Sequence, residues 1–384
     1  SDWESRWHSV VSGEDRSWRA SLGRGGLGLL AGLYELGITT YRAGFDTGLL
    51  RPTRLPCPVI SIGNLTVGGT GKTTTVRWIA RRLLERGLRP AILSRGYGAK
   101  SPARHTADDD EAVTVVAGPE GVRLPTSASG DEPQLLARSL PGVPVLIGKK
   151  RVLSGRHAVA EFGIDACILD DAFQYWRLEK DLEIVLVNAT NPFGYGRILP
   201  RGMLREPLRA LRRADAAILT HAAWADEGER DRLREQLLKW NPGLELAEAR
   251  HVPVLLRDHR TGAAVELDVV RERKWLALSA LGQPGAFERT LAELGAVEPA
   301  SARFPDHHAY TEADLAQIAD RVKQEQLAGV VTTEKDSVKI PAGWLRDTPC
   351  CVVEIDLQFL DGQERIETLL RGRTTAGSHP RGSA

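Results

Sequence analysis

Short apolar runs punctuate residues 57–221, and stretches of helical periodicity lie between several of them. The runs "CPVISIG" (57–63), "PAILS" (90–94), "VPVLIG" (143–148), "ACILD" (166–170), "EIVLVNA" (183–189) and "AAILTH" (216–221) read as strands. Residues 72–86 place Val76, Ile79, Leu83 and Leu84 on one helical stripe, and Gly87 is a C-terminal stop. A second helical pattern, 150–162, closes at Gly163. Alternation of this kind predicts a mostly parallel sheet covered by helices on both faces, with ligands gathered beyond the carboxyl ends of its strands.

Two hairpins interrupt the pattern. "EAVTVVAGPEGVRLP" (111–125) turns at Gly118–Gly121, and "HVPVLLRDHRTGAAVEL" (251–267) separates the first unit from a second. That second unit carries "KWLALSAL" (274–281), helices 285–294 and 311–326, "GVVTT" (329–333) and "CCVVEIDL" (350–357). The expected organisation is a large α/β domain over 1–250, a β-hairpin linker over 251–270, a smaller α/β domain over 271–370 and an unstructured tail over 371–384.

The length of 384 residues suits two domains, and 42% hydrophobic with 26% charged residues is the profile of a globular chain. A net charge of +1 argues against a general nucleic-acid binder, so any basic surface is local. Cys57, Cys167, Cys350 and Cys351 form no CxxC pair, which argues against a zinc site or disulfide framework and for a reducing, cytoplasmic setting. Cys350 and Cys351, as neighbours in a strand, point to opposite faces. The opening residues are polar and acidic, unlike a secretory signal. In residues 25–50 the charge-free stretch ends at Glu35, short of the roughly 20 apolar residues that span a bilayer. A helix here either packs on its own domain or lies in a membrane interface.

"TVGGTGKTTTV" (66–76) joins a strand to a helix. A glycine-rich turn there lets amide N–H groups wrap phosphate oxygens, and the helix N-terminus adds partial positive charge. Thr66, Val67, Gly68, Gly69, Thr70, Gly71, Lys72 and Thr73 form the expected ATP-binding loop. Lys72 reaches the β- and γ-phosphates and the Thr73 hydroxyl ligates Mg²⁺. Thr66 stands where the usual GxxxxGK[ST] pattern has its first glycine, and Gly68 and Gly69 keep the loop open. "ILDDAF" ends a strand with Asp170 and Asp171, an arrangement in which a carboxylate reaches the metal.

Three classes of phosphate-loop protein compete. "TTEKD" (332–336) has the wrong spacing for a guanine-reading segment, and Val67 stands where a dimerising partition ATPase carries a second lysine. A kinase of a small molecule or lipid survives. Its acceptor hydroxyl needs a base. "SGDEP" (129–133) and "FPDHH" (304–308) offer Asp131, Glu132, His307 and His308, though helix capping explains the first motif as well, and capping with surface polarity explains the second better. A local basic patch, "NPFGYGRILPRGMLREPLRALRRAD" (191–215), interleaves arginines with Phe193, Tyr195, Ile198, Leu199, Met203 and Leu204. Arg197, Arg201 and Arg205 lean toward ligand contact, whereas Arg209, Arg212 and Arg213 read as a solvated helix face.

Seven motifs in this order, "PVISIGNLTVGGTGKT", "SRGYG", "GDEP", "ILDDAFQ", "PFGYGRILPRGMLREPL", "FPDHH" and "TTEKD", resemble the tetraacyldisaccharide 4'-kinases of lipid A assembly over about residues 56–340. The resemblance implies an ATP- and Mg²⁺-dependent enzyme that phosphorylates the 4'-hydroxyl of a lipid-linked glucosamine disaccharide 1-phosphate. It implies a phosphate-loop α/β domain joined by a β-ribbon to a smaller one, peripheral at the cytoplasmic face of the inner membrane, with no obligate protein partner. It makes Asp131 the general base with His307 as its partner, and Glu132, Asp170 and Asp171 metal-linked acids. Gln174 falls where the family has a site glutamine, and 25–50 becomes an interfacial helix. The chain departs from the family at Thr74, where proline is usual, and at Ala172 and Tyr175, where the family has "DDGFQH". Two readings of other classes are a nucleotide-switched ATPase acting on a protein partner and a membrane-surface scaffold that binds no ATP. The resemblance gives "TTEKD" no derivable role.

Overall fold

The computed structural model describes residues 7, 9–96, 112–282, 284–341, 343–344 and 348–375. Tyr97 and Gly98 of "SRGYG", and the expected tail from 376 onward, lie outside the described residues.

The buried runs assemble into one continuous sheet. At its heart β1 (Val59–Asn64) lies between β6 (Ala166–Asp170) and β7 (Leu182–Asn188), parallel to both. On one side β6 leads to β2 (Pro90–Ser94), β5 (Val145–Ile147) and the antiparallel hairpin of β3 (Thr114–Gly118) and β4 (Gly121–Val122). On the other, β7 leads to β8 (Ala216–Thr220) and β9 (Glu245–Asp258). Strands β1, β2, β6, β7 and β8 are buried along their whole length, which is why they read as unbroken apolar runs. The sheet does not stop there. Strand β9 pairs antiparallel with β14 (Cys350–Asp361), which is parallel to β13 (Val330–Thr333), followed by β11 (Leu276–Ser279) and β12 (Ala300–Arg303).

Two parallel lobes therefore share a long ribbon, β9–β14, at which strand direction reverses. The hairpin expected over 251–267 is present as β9 with β10 (Ala264–Val265). However, β9 starts at Glu245 and its main partner is β14, about a hundred residues later, a pairing without local signature. Cys350 and Cys351 do point to opposite faces, into separate cores of the small lobe.

Five longer helices cover the large lobe. Helix α1 (Trp18–Asp46) begins seven residues before the expected segment and is capped by the Ser17 hydroxyl, which accepts from the Ala20 amide. Next come α2 (Lys72–Glu85), α3 (Asp131–Ser139), α4 (Arg151–Phe162) and α5 (Glu227–Trp240). In α2, Val76, Ile79, Ala80 and Leu83 are fully buried, whereas Leu84 is 42% exposed. The stripe follows i, i+3, i+4, i+7, and Leu84 lies past its rim. The small lobe adds α6 (Pro284–Glu293) and α7 (Glu312–Gln324). Helix α8 (Gln363–Arg373) packs Ile366 and Leu370 back into the large core and extends into the segment expected as tail.

Candidate active site

The phosphate loop is the turn between β1 and α2. Gly68 and Gly69 are exposed, while the Thr66 and Thr70 side chains point inward and are buried. The loop is therefore bare backbone on its outer face. Gly71 adopts φ 76° as the residue before α2, and a side chain there would collide with the imidazole of His251. Two backbone bonds brace the loop from residues 203–205: the Val67 amide donates to the Met203 carbonyl at 2.9 Å, and the Arg205 amide to the Leu65 carbonyl at 2.7 Å. Asn64 donates through Nδ2 to Thr70 Oγ1 at 3.1 Å. Thr73 lies in the first turn of α2, beside Lys72.

Pairing of β1 with β6 sets Ile62 opposite Asp170, so the two acids emerge next to the loop. Asp170 is 2% exposed, and its Oδ2 accepts from Ser94 Oγ at 3.2 Å. Burial raises its pKa to about 7, with Glu132 and Asp171 adding to the rise and Lys72 opposing it. Its Oδ1 is buried with no hydrogen-bond partner among the described residues. A carboxylate desolvated and left with a bare oxygen is suited to a hard cation. Asp171, at φ 51°, differs from its neighbour. Arg205 Nη1 donates to both its oxygens, at 2.8 and 2.9 Å, and Lys72 Nζ is 3.8 Å away. Burial opposes ionisation, but Lys72 and Arg205 outweigh it and hold the carboxyl below its usual range. Among the described residues no three His, Cys, Asp or Glu side chains converge on one point. That donor set fits Mg²⁺, which keeps several waters and takes one or two protein carboxylates beside phosphate oxygens.

A second cluster of polar side chains comes from both lobes. Asp131 and Glu132 sit in the first turn of α3, after Gly130 at φ 84°. Across the cleft His307 stands at φ 58° in the loop after β12, and its Nδ1 is 3.2 Å from Asp131 Oδ2. Lys335 Nζ approaches His307 Nε2 at 3.4 Å. A lysine has donors only, so Nε2 accepts and Nδ1 carries its hydrogen toward Asp131. His308 instead bonds Asp314 at 2.9 Å and stacks on Phe304, a structural role.

"TTEKD", which sequence reasoning left without a role, is where the lobes interlock. Glu334 accepts from Arg77 of α2 at 2.7 Å. Lys335 donates to Asp306 Oδ1 at 3.0 Å. Asp336, fully buried, accepts from the Ala280 amide at 3.1 Å and lies 2.8 Å from Lys339 Nζ. Lys339, missed in the sequence, also lies 3.8 Å from Asp131 Oδ2. Nothing local distinguishes it from any lysine one turn after a capped helix start.

The basic segment departs from its reading at Arg213. Arg205 is engaged with Asp171, and Arg201 Nη1 donates to the Val11 carbonyl at 3.2 Å. Arg197 is exposed. Ile198 and Leu204 belong to the core beneath the loop. Arg209 and Arg212 are exposed as expected, and Arg209 also pairs with Glu35 of α1 at 3.2 Å. Arg213 is not solvated: it pairs with Glu206 at 2.6 Å and its guanidinium lies 3.8 Å from the Phe173 ring centre. Sequence shows the charge but not the buried partners. Gln174 donates to the Asn64 carbonyl at 3.0 Å, fixed beside the loop. Tyr175, one of the departures, lines a cavity of about 420 Å³ with Tyr41, Phe45, Leu50 and Arg177.

The chain is similar to known proteins over most of its length. Residues 26–374 match the family model described as tetraacyldisaccharide-1-P 4'-kinase. The chain is 41% identical over 349 residues to the tetraacyldisaccharide 4'-kinase of Anaeromyxobacter sp. (strain Fw109-5), covering 91% of each chain. It is 39% identical over 361 residues to that of Syntrophus aciditrophicus, covering 92% of each. Among solved structures it is similar to LpxK from Aquifex aeolicus in complex with ATP, with TM-score 0.72 and 30% identity over 92% of this chain and 99% of that one.

Proposed function

The chain belongs to the tetraacyldisaccharide-1-P 4'-kinase family, and on that premise we propose how its own residues run the reaction. It is an ATP-dependent kinase of lipid A assembly, and its acceptor is the 4'-hydroxyl of a lipid-linked glucosamine disaccharide 1-phosphate.

One observation carries the mechanism: Asp131 and His307 meet at 3.2 Å from different lobes. Loop 66–73 holds the β- and γ-phosphates with its amides, and Lys72 neutralises charge on the oxygens being transferred. Asp170, whose Oδ1 is unpartnered, would hold Mg²⁺ together with Thr73 and Glu132. Bound there, Mg²⁺ supplies further charge neutralisation for the phosphoryl group. Asp171 serves Lys72 and Arg205 instead, holding both cations toward the phosphates. The sugar hydroxyl gives its proton to Asp131 as its oxygen bonds to the γ-phosphorus, and the bond to the β-phosphate oxygen breaks to release ADP. His307, itself held by Lys335, orients the receiving carboxylate. Gln174, Arg197 and Arg201 read the acceptor head group.

The acceptor is lipidic, and α1 suits a bilayer surface. Trp18, Leu22, Leu29, Leu33 and Leu36, each 60–71% exposed, fall on one face, whereas the buried Ala20 and Ala31 face the opposite way. No described helix is long and apolar enough to cross a membrane. We assign α1 to the cytoplasmic surface of the inner membrane, where acyl chains stay in lipid while the head group enters the cleft.

The deciding assay combines purified protein, ATP, Mg²⁺ and the lipid disaccharide 1-phosphate. The expected result is stoichiometric phosphate transfer to the lipid that stops on chelation with EDTA. ATP hydrolysis indifferent to the lipid would overturn the reading.

A further inference from the structure

His251 belongs to none of the groups above, yet it touches the phosphate loop directly. It lies on β9, in the ribbon between the lobes, opposite Leu357 of β14. Its ring occupies the space behind Gly71, where an added methyl would come within 2.4 Å of Cε1. Its Nε2 is 2.9 Å from Thr74 Oγ1, and that hydroxyl is 2.8 Å from the Gly71 carbonyl, to which it donates. The hydroxyl's hydrogen is thereby committed, so Nε2 carries a hydrogen and donates to Thr74. The other nitrogen, Nδ1, is buried without a partner among the described residues, as suits an imine lone pair.

Behind His251 runs a stack of rings. His221 lies 4.8 Å from it, Trp224 stacks on His221 at 4.7 Å and 16°, and Arg289 of α6 caps Trp224 at 4.9 Å. His221 and Trp224 follow β8 in the large lobe, and Arg289 belongs to the small lobe. One turn along α2, Arg77 donates to the Ile355 carbonyl of the same ribbon and to Glu334, which in turn accepts from the Ile355 amide.

We propose that His251 is a positioning residue that couples the phosphate loop to the small lobe: its bond to Thr74 sets the start of α2, and the His251–His221–Trp224–Arg289 stack makes that setting depend on where α6 sits. Nucleotide affinity and lobe placement are then linked, and linkage is reciprocal. The proposal rests on loop 66–73 binding ATP, but its test does not stand or fall with catalysis.

The test is equilibrium binding of ATP with Mg²⁺ to full-length protein, without lipid. Thr74→Val removes the hydroxyl and keeps the shape, and should weaken ATP by about five- to tenfold. Arg289→Ala alters an exposed residue of the other lobe and should weaken it by about two- to fivefold. The double variant should bind ATP no more weakly than Thr74→Val alone, because the stack then has no bond to act through. His251→Gln, which keeps a donor, should recover part of the affinity that His251→Phe loses. Thermal melts without nucleotide identify any variant that fails to fold, and Arg289→Ala carries the test if the His251 variants do. Unchanged ATP affinity in Arg289→Ala, or losses that multiply in the double variant, would overturn the coupling. Absence of ATP binding in the parent protein would instead remove the phosphate-loop reading.

Discussion

In the large lobe Asp170 is 2% exposed and fixed by Ser94, and the phosphate loop is tied by backbone bonds to residues 203–205. In the small lobe the His307 side chain is 38% exposed on a loop, held by Asp131 and Lys335. The first arrangement is built from large-lobe residues, and the small lobe reaches it only indirectly, through the ring stack behind His251. The second exists only while the lobes stand together. On the proposed roles, phosphate and metal are held mainly by the large lobe, with the ring stack tuning that grip, and the acceptor's deprotonation depends on a contact that closure makes or breaks. Separating nucleotide grip from chemistry in this way lets ATP bind before the base is completed.

Variants on the two sides should therefore fail differently. Asp131→Asn should lower the transfer rate by about 10²- to 10⁴-fold with ATP affinity intact, read by single-turnover transfer and equilibrium binding. An unchanged rate would remove Asp131 from the chemistry. Lys72→Ala should cost about 10²- to 10³-fold in rate and weaken ATP as well, because its charge acts on the phosphates in both states. His307→Ala should lose about tenfold to 10²-fold in kcat while KM for ATP stays put. A matching rise in KM for ATP would show His307 itself acting on nucleotide grip, and would blur the contrast.

Smaller effects probe how the lobes are joined. Glu334→Ala leaves Arg77, 4% exposed, without its carboxylate and should destabilise the fold by about 3 kcal/mol in urea melts. Least in size is an acid effect at the ribbon. Burial lowers the pKa of His221 to about 4 and, with His221 and Arg77, that of His251 to about 3. Between these values and the unfolded value near 6.5 the unfolded chain binds more protons, so stability falls as pH drops through that window. His221→Phe should flatten the slope of melting temperature against pH between about 6.5 and 4. A slope unchanged by the substitution would show that these rings do not carry it.

Legibility followed the range of the interaction. The phosphate loop was readable because strand, bare turn, lysine and helix are neighbours in sequence and each residue type has a local reason. Asp170 and Asp171 were readable as a strand end, yet their division of labour was not, since it depends on Ser94 and Arg205. The β9–β14 pairing joins strands a hundred residues apart, and the alternation of apolar runs says nothing about which strands pair. Arg213 was misread because its partners Glu206 and Glu183 and the Phe173 ring lie in a fold, not in a pattern. His251 gave no signal at all: a single histidine at the start of an apolar run is indistinguishable from a core residue. The family resemblance named Asp131, where residue patterns left capping as an equal alternative, and His307, where they favoured it.

The most direct measurement is a crystal structure of the protein with a non-hydrolysable ATP analogue and Mg²⁺. The account predicts the β- and γ-phosphates inside loop 66–73, Lys72 on their oxygens, the ion bound to Asp170 Oδ1 and Asp131 facing the γ-phosphate. A triphosphate lying elsewhere, with the loop empty and Asp170 still bare, would contradict it.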